Sequence, residues 1–356
     1  MSQRLARLRS KLAEKQYDGM LVSQAENRRY LSDFTGSAGY LLITQEAAVL
    51  FTDFRYTEQA GLQAKDFTVQ QVSGGFENWL TATVRDLNVK RLAFDALHVT
   101  YATHQAIKKA LGELEVELAP DEQTVELLRA VKEPSEVAAI EKAQGLTDGA
   151  YHHLMGVVRP GMTEVQVAWE LEKFIRENGG DGLAFDTIVA AGPNAARPHH
   201  RAGETPIREG EPIVLDFGAK ADGYCADMTR TICLGPQDDQ FKRVYDLVLG
   251  AQLTAEALIK SGITGEEADS YARKVIDDAG FGDNFGHSLG HGIGLYVHEY
   301  PHVAKRAKNV LEDGMVFSVE PGIYISGWGG VRIEDLVVLE NGKPRVLTKA
   351  SKLATD

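Results

Sequence analysis

Residues 213–234 read IVLDFGAKADGYCADMTRTICL. Two β-rich runs flank Asp222-Gly223, a dipeptide that is a strong short-range hairpin signal. Asp216 and Asp227 lie on opposite arms. A turn centred between Ala221 and Asp222 would set them directly opposite, with Cβ atoms ~5 Å apart. A turn centred on Asp222-Gly223 would need a bulge to restore that register. Carboxylates so close repel, and hard divalent cations are the natural compensation. The alternative is two solvated strand carboxylates.

Downstream, MVFSVE (315–320) and GVRIEDL (330–336) place Glu320 and Glu334 inside apolar strand-like runs. Burying a carboxylate there is costly without a metal or an arginine partner. Arg332 shares the face of Glu334 by alternation, so a buried ion pair is the competing account. Between these pairs, FGHSLGHGIGLYVHE (285–299) frames His291 with Gly290 and Gly292, and glycines let backbone approach an ion closely. His291 reads as a ligand. His298 is then available as an acid, a base or an oxyanion donor. His287 is left between a place beside the ligands and a structural hydrogen bond. The turn-rich stretch GPNAARPHH (192–200) carries His199 and His200, which composition cannot separate. The other histidines, 98, 104, 152, 153 and 302, show no partner pattern.

Working outward, two helices at about 134–155 and 164–177 precede the first hairpin. Thr163 with Gln166 makes a capping box, and Pro134 lies in a first turn. The order recurs with helices at about 239–260 and 265–279, the second opened by Thr264 with Glu267. Gly161-Met162-Thr163 and Gly262-Ile263-Thr264 match, and the acidic pairs follow at similar offsets. An internal duplication with a site between its halves is implied. Residues 18–120 instead alternate short strands, at 19–22, 40–43 and 48–51, with helical stretches such as 104–114, an α/β pattern. The boundary is placed near Lys132, giving domains 1–131 and 132–356.

A chain of 356 residues suits two domains. The net charge of −13, spread along the chain, argues against nucleic acid. There is no run of 18 apolar residues to span a membrane. Leu5, Leu8 and Leu12 have the spacing of an ordinary amphipathic first helix rather than a targeting segment. Cys225 and Cys233, eight residues apart on what reads as one strand, are too distant to pair, which suits a reducing cytoplasm.

The segments LDFG, ADMTR, GHGIG, SVEPG and RIED around Asp216, Asp227, His291, Glu320 and Glu334 resemble the pita-bread metallopeptidase family of aminopeptidase P, prolidase and methionine aminopeptidase. NRRYL (27–31), FTGSAG (34–39) and TDFRY (52–56) resemble the creatinase-like domain that precedes the catalytic one in Xaa-Pro peptidases. The resemblance implies a creatinase-like α/β domain followed by an α+β pita-bread domain with a pseudo-two-fold duplication. It implies two divalent cations, usually manganese with cobalt or zinc as alternatives, bridged by Asp227 and Glu334. Asp216 completes one site, and His291 with Glu320 the other. A water shared by the cations would be the nucleophile, Glu320 the general base, His298 the oxyanion donor and His199 a substrate contact. Arg332 would orient a ligand or meet the substrate carboxylate, unless it simply pairs with a neighbouring acid. The substrates implied are peptides with proline at the second position, cut by a cytoplasmic homodimer. Aminopeptidase P is favoured over prolidase on the 34–37 stretch. The complete ligand set counts against a creatinase-type amidinohydrolase or a non-enzymatic binding module.

Overall fold

The computed structural model describes residues 3–353. The chain divides after Arg129 into two compact units.

The first unit is built on a six-stranded mixed sheet of order β4-β3-β2-β1-β5-β6. Its strands are β1 (Gly19–Val22), β2 (Tyr40–Thr44), β3 (Ala48–Thr52), β4 (Thr68–Gln71), β5 (Arg91–Asp95) and β6 (Glu117–Asp121). Six helices accompany them: α1 (Gln3–Glu14), α2 (Ala25–Ser32), α3 (Thr57–Gln63), α4 (Leu80–Asp86), α5 (Tyr101–Leu111) and α6 (Thr124–Ala130). Leu5, Leu8 and Leu12 of α1 are buried as their spacing predicts; Met1 and Ser2 lie outside the described residues. The three strands expected from 19–51 form, and the helix expected at 104–114 begins earlier, at Tyr101, where Thr100 accepts a hydrogen bond from Thr103 N–H.

The second unit repeats one plan. Helices α7 (Pro134–Val157) and α8 (Glu164–Glu177) precede the strands β7 (Gly182–Leu183), β8 (Ile188–Ala191), β9 (Pro212–Phe217), β10 (Ala219–Ala221), β11 (Tyr224–Cys225) and β12 (Met228–Cys233). Helices α9 (Asp239–Leu258) and α10 (Gly265–Asp278) then precede β13 (Gly290–Gly292), β14 (Glu299–Val303), β15 (Val316–Val319), β16 (Gly322–Ile325), β17 (Gly329–Arg332), β18 (Asp335–Glu340) and β19 (Lys343–Val346). The likeness extends to individual bonds. Gly161 and Gly262 both have positive φ, 90° and 93°. Gly161 N–H donates to Ile207 O as Gly262 N–H does to Leu311 O, and Ile207 and Leu311 return bonds to Met162 O and Ile263 O. Thr163 and Thr264 each accept the bond of an N-cap and each bridge to the returning chain, at Pro206 and Val310. Each half also packs its own core, one under Leu154, Leu171 and Ile175, the other under Val248, Ala272 and Ile276.

The hairpin turns on Asp222-Gly223, both at positive φ, as a two-residue turn of that type requires. No bulge follows. Lys220 pairs with Cys225, and the same register carries Asp216 opposite Thr229. Direct opposition of Asp216 and Asp227 is therefore corrected. Asp227 falls across from Gly218, two residues along from Asp216, so the two carboxylates share a face as diagonal neighbours. A Cβ on Gly218 would meet Ala226 O at 1.8 Å, so only glycine lets the arms approach there. Cys225 and Cys233 sit on separate short strands, both buried and neither in a disulfide.

In the second half the geometry is the direct one. The pairs Val319 with Asp335 and Gly322 with Arg332 keep one register, which sets Glu320 opposite Glu334. His291 lies between β14 and β15, and a Cβ on Gly290 would stand 1.9 Å from Ser318 O. Gly290→Ala is expected to cost about 3 kcal/mol by forcing these strands apart. A urea titration compared with wild type measures it.

Candidate metal centre

Both ribbons deliver their carboxylates to one cleft of about 620 Å³. Asp216, Asp227, His291, Glu320 and Glu334 all line it, with His199, His298, His287 and Arg332. Asp227, His291 and Glu334 offer one donor atom each within 4.8 Å of one another. Asp227 and Glu334 are only 4% and 2% exposed. Their Oδ1 and Oε1 atoms have no hydrogen-bond partner. Leaving two ionised oxygens dry and unpaired is among the costliest arrangements a fold can hold. Burial first, and then the neighbouring carboxylates, pushes the pKa of both well above the ordinary range. The donor set therefore fits divalent cations, which would neutralise it with hard oxygen ligands and one imidazole.

The remaining polar atoms hold these donors in place. His291 Nδ1–H donates to Gly292 O at 3.1 Å, so Nε2 is the atom turned to the acids. It stands 3.2 Å from Glu320 Oε1 and 3.6 Å from Asp227 Oδ2. Burial disfavours the charged form of both His291 and Glu320. Their hydrogen bond and mutual charge nevertheless hold Glu320 down at about 2 and lift His291 to about 9. Ser318 joins them, accepting from His291 N–H and donating to Glu320 Oε1.

Arg332 is 3% exposed, and each of its three nitrogens has a partner. Its Nη2 donates to Asp216 Oδ2 at 2.5 Å, its Nε to Thr229 Oγ1 at 3.0 Å and its Nη1 to Tyr324 Oη at 2.7 Å. The Thr229 hydroxyl donates in turn to Glu334 Oε2 at 2.6 Å. One guanidinium thus fixes one oxygen of Asp216 and, through Thr229, one of Glu334, which leaves Glu334 Oε1 open. His287 Nδ1–H donates to Ser288 O, so its Nε2 accepts the Tyr324 hydroxyl at 2.9 Å. Burial lowers the pKa of His287, and it pushes the Tyr324 phenol up to about 12. His298 stacks edge-on to His291 with ring centroids 4.3 Å apart. Its partial burial, and then the charge on His291, favours the neutral imidazole.

His199 reaches the cleft, whereas His200 turns away to Glu164 at 2.9 Å. Some residues of the cleft and of its immediate surround were not singled out in the sequence. His302, read as surface or packing, lies on β14 across from His291 and faces the cleft. Tyr324 could have been found, because strand alternation puts Glu320, Gly322 and Tyr324 on one face. Phe185, Ile188 and Val297, which give the cleft apolar wall, left no sequence signal.

The chain was compared with known proteins. Residues 138–341 match the model of metallopeptidase family M24, and residues 4–131 that of the creatinase/prolidase N-terminal domain. An uncharacterized peptidase of Bacillus subtilis is 43% identical over 98% of both chains. Among solved structures, an Xaa-Pro dipeptidase from Bacillus anthracis superposes with a TM-score of 0.96 at 42% identity, covering 99% of each chain. An X-Pro aminopeptidase from Thermotoga maritima gives 0.89 at 39%, again over 99% of each. The fold expected from the sequence, a creatinase-type domain followed by a pita-bread catalytic domain, is the fold found.

Proposed function

The chain belongs to metallopeptidase family M24, and on that premise we propose that it removes the first residue from peptides with proline second, as an aminopeptidase P does. The observation that carries the metal-dependent part is the pair of buried, unpartnered oxygens on Asp227 and Glu334 beside His291 Nε2. Asp227 and Glu334 would hold both of two divalent cations, Asp216 one of them, and His291 with Glu320 the other. Bound there, such cations polarise a scissile carbonyl and lower the pKa of a water. Manganese is the proposed metal, with cobalt and zinc as alternatives.

The chain's own groups do the rest. With His291 Nε2 given to a cation, its proton no longer bonds Glu320 Oε1, and the carboxylate is the base at the water. Ser318 occupies Oε1, which leaves Oε2 to take the proton of the attacking water. Neutral His298 has an N–H to donate to the developing oxyanion, worth ~3 kcal/mol for a single such donor. His199, which also lines the cleft, contacts the substrate.

Length preference follows from charge. Among the described residues lining the cleft, Arg332 is the only arginine or lysine, and all three of its nitrogens are engaged. Its role is therefore to orient Asp216, and the carboxylate that ends a dipeptide finds no free permanent cation. A longer peptide presents a neutral amide at the same place, which supports the aminopeptidase reading. Among the described residues, no helix is long and apolar enough to cross a membrane. A cytoplasmic homodimer completes the proposal.

The name of the 42%-identical dipeptidase favours prolidase as the second reading. Steady-state kinetics on an Xaa-Pro dipeptide and on the same sequence extended by one residue decide between them. We expect kcat/KM at least about tenfold higher on the tripeptide, a difference of ~1.4 kcal/mol. The reverse order would make the enzyme a prolidase.

A further inference from the structure

Glu164, the first residue of α8, is completely buried, yet it touches none of the metal-centre residues. The bonds to its carboxylate come from one segment. Oε1 accepts from Ala191 N–H and Asn194 Nδ2, both at 2.9 Å, and Oε2 from His200 Nε2 at 2.9 Å and Gly203 N–H at 3.1 Å. These donors bracket the segment 191–203, which between a short helical turn at Gly192–Ala196 and Gly203 has no strand partner. That segment carries His199 into the cleft. Because His200 turns inward to Glu164, its neighbour His199 is the one left to face the cleft.

The other half contains a counterpart. Asp269, on the equivalent helix α10 and 2% exposed, accepts from Leu289 N–H at 3.0 Å and pairs with Arg273 at 2.6 Å. Arg273 in turn donates to Phe285 O and His287 O. In both halves, then, the second helix sends a buried carboxylate to the loop that bears cleft histidines. A buried carboxylate is retained only where its bonds repay desolvation, and here those bonds hold a loop either directly or, at Asp269, also through Arg273.

We propose that Glu164 and His200 form a clamp that sets the 191–203 loop and thereby aims His199 into the cleft. Glu164 is then a positioning residue that acts through His199. This rests on the Xaa-Pro peptidase reading for its kinetic consequence, though not for its structural one.

The test uses the full chain loaded with manganese and compares Glu164→Gln in two backgrounds, native and His199→Ala. Gln keeps the volume but sets an NH2 against one pair of donors. In the native background kcat/KM on an Xaa-Pro tripeptide is expected to fall at least about tenfold, as misplaced contact groups do. In the His199→Ala background it should change less than about twofold, because the group being aimed is absent. An equal loss in both backgrounds, or none in the native one, overturns the clamp. If Glu164→Gln does not fold, His200→Ala is read by the same comparison. Amide hydrogen exchange supplies a readout free of activity. Faster exchange over 197–203 with 285–291 unchanged supports the clamp, and unchanged or uniformly faster exchange overturns it. Should wild type cleave no Xaa-Pro peptide, the peptidase reading fails and the exchange result alone decides the clamp.

Discussion

Glu320→Gln is expected to lower kcat on an Xaa-Pro tripeptide by about a thousandfold or more, with a much smaller change in KM, because the loss of a positioned base is felt in the transition state. The substitution is nearly isosteric, and Ser318 can still donate to the side-chain oxygen at position 320. The fold should therefore survive, which circular dichroism and a thermal scan would show. Glu320 is also proposed as a ligand, so the assay is run at saturating manganese with metal content measured by mass spectrometry. A variant that holds its metal and turns over within tenfold of wild type would remove Glu320 from the role of base.

The second large effect is on stability. In the metal-free chain, burial and crowding keep Asp227, Glu334 and Asp216 protonated to higher pH than ordinary carboxyls. His291 keeps its proton up to about pH 9, whereas an ordinary imidazole releases it near 6.5. Between about pH 5 and pH 9 these four groups bind more protons in the folded state than in the unfolded chain, so their contribution to stability falls as pH rises; His287 and His298, whose pKa burial lowers, oppose it only in the lower part of that window. Glu320, held at about 2, acts in the opposite sense only as pH falls below its ordinary 4.5, so it is silent in that window. Cations replace those protons, and loading should abolish the slope. Chelated protein is expected to lose about 5 °C or more in Tm between pH 5 and pH 9, with the manganese-loaded protein nearly flat by comparison. The gap between the two should widen steadily with pH. A chelated protein whose Tm holds or rises over that range would show that the five residues do not form an electrostatically frustrated cation site. Chelation should also end Xaa-Pro cleavage and manganese restore it.

Much of this molecule is legible before any fold is drawn. Helix α8 runs over the residues expected, 164–177, because Thr163 and Gln166 form the reciprocal bonds of a capping box. The hairpin at Asp222-Gly223 forms where a dipeptide tolerant of positive φ requires it. The matching threonine and glycine signals at 161–163 and 262–264 announced a duplication that the bonds to Ile207 and Leu311 bear out. Such features are local: a few neighbouring residues and the steric limits of the backbone decide them.

What the sequence left open depends on residues far apart along the chain. Register is an example: the two-residue turn sets Asp216 across from Thr229, and Gly218 makes the diagonal approach of Asp227 possible. The equivalence of His199 and His200 is broken only by Glu164, which stands 36 residues away. Arg332, open to three roles when read alone, is committed once Asp216, Thr229 and Tyr324 converge on it. His302 has no pattern of its own and enters the cleft because β14 lies against His291. That Asp216, Asp227, His291, Glu320 and Glu334 meet in one cleft was thus legible in the sequence, since charge inside apolar strands demands a partner. Only the tertiary structure decided which oxygens are already taken, because hydrogen bonds that span a hundred residues, from Thr229 to Glu334 and from Arg332 to Asp216, select them.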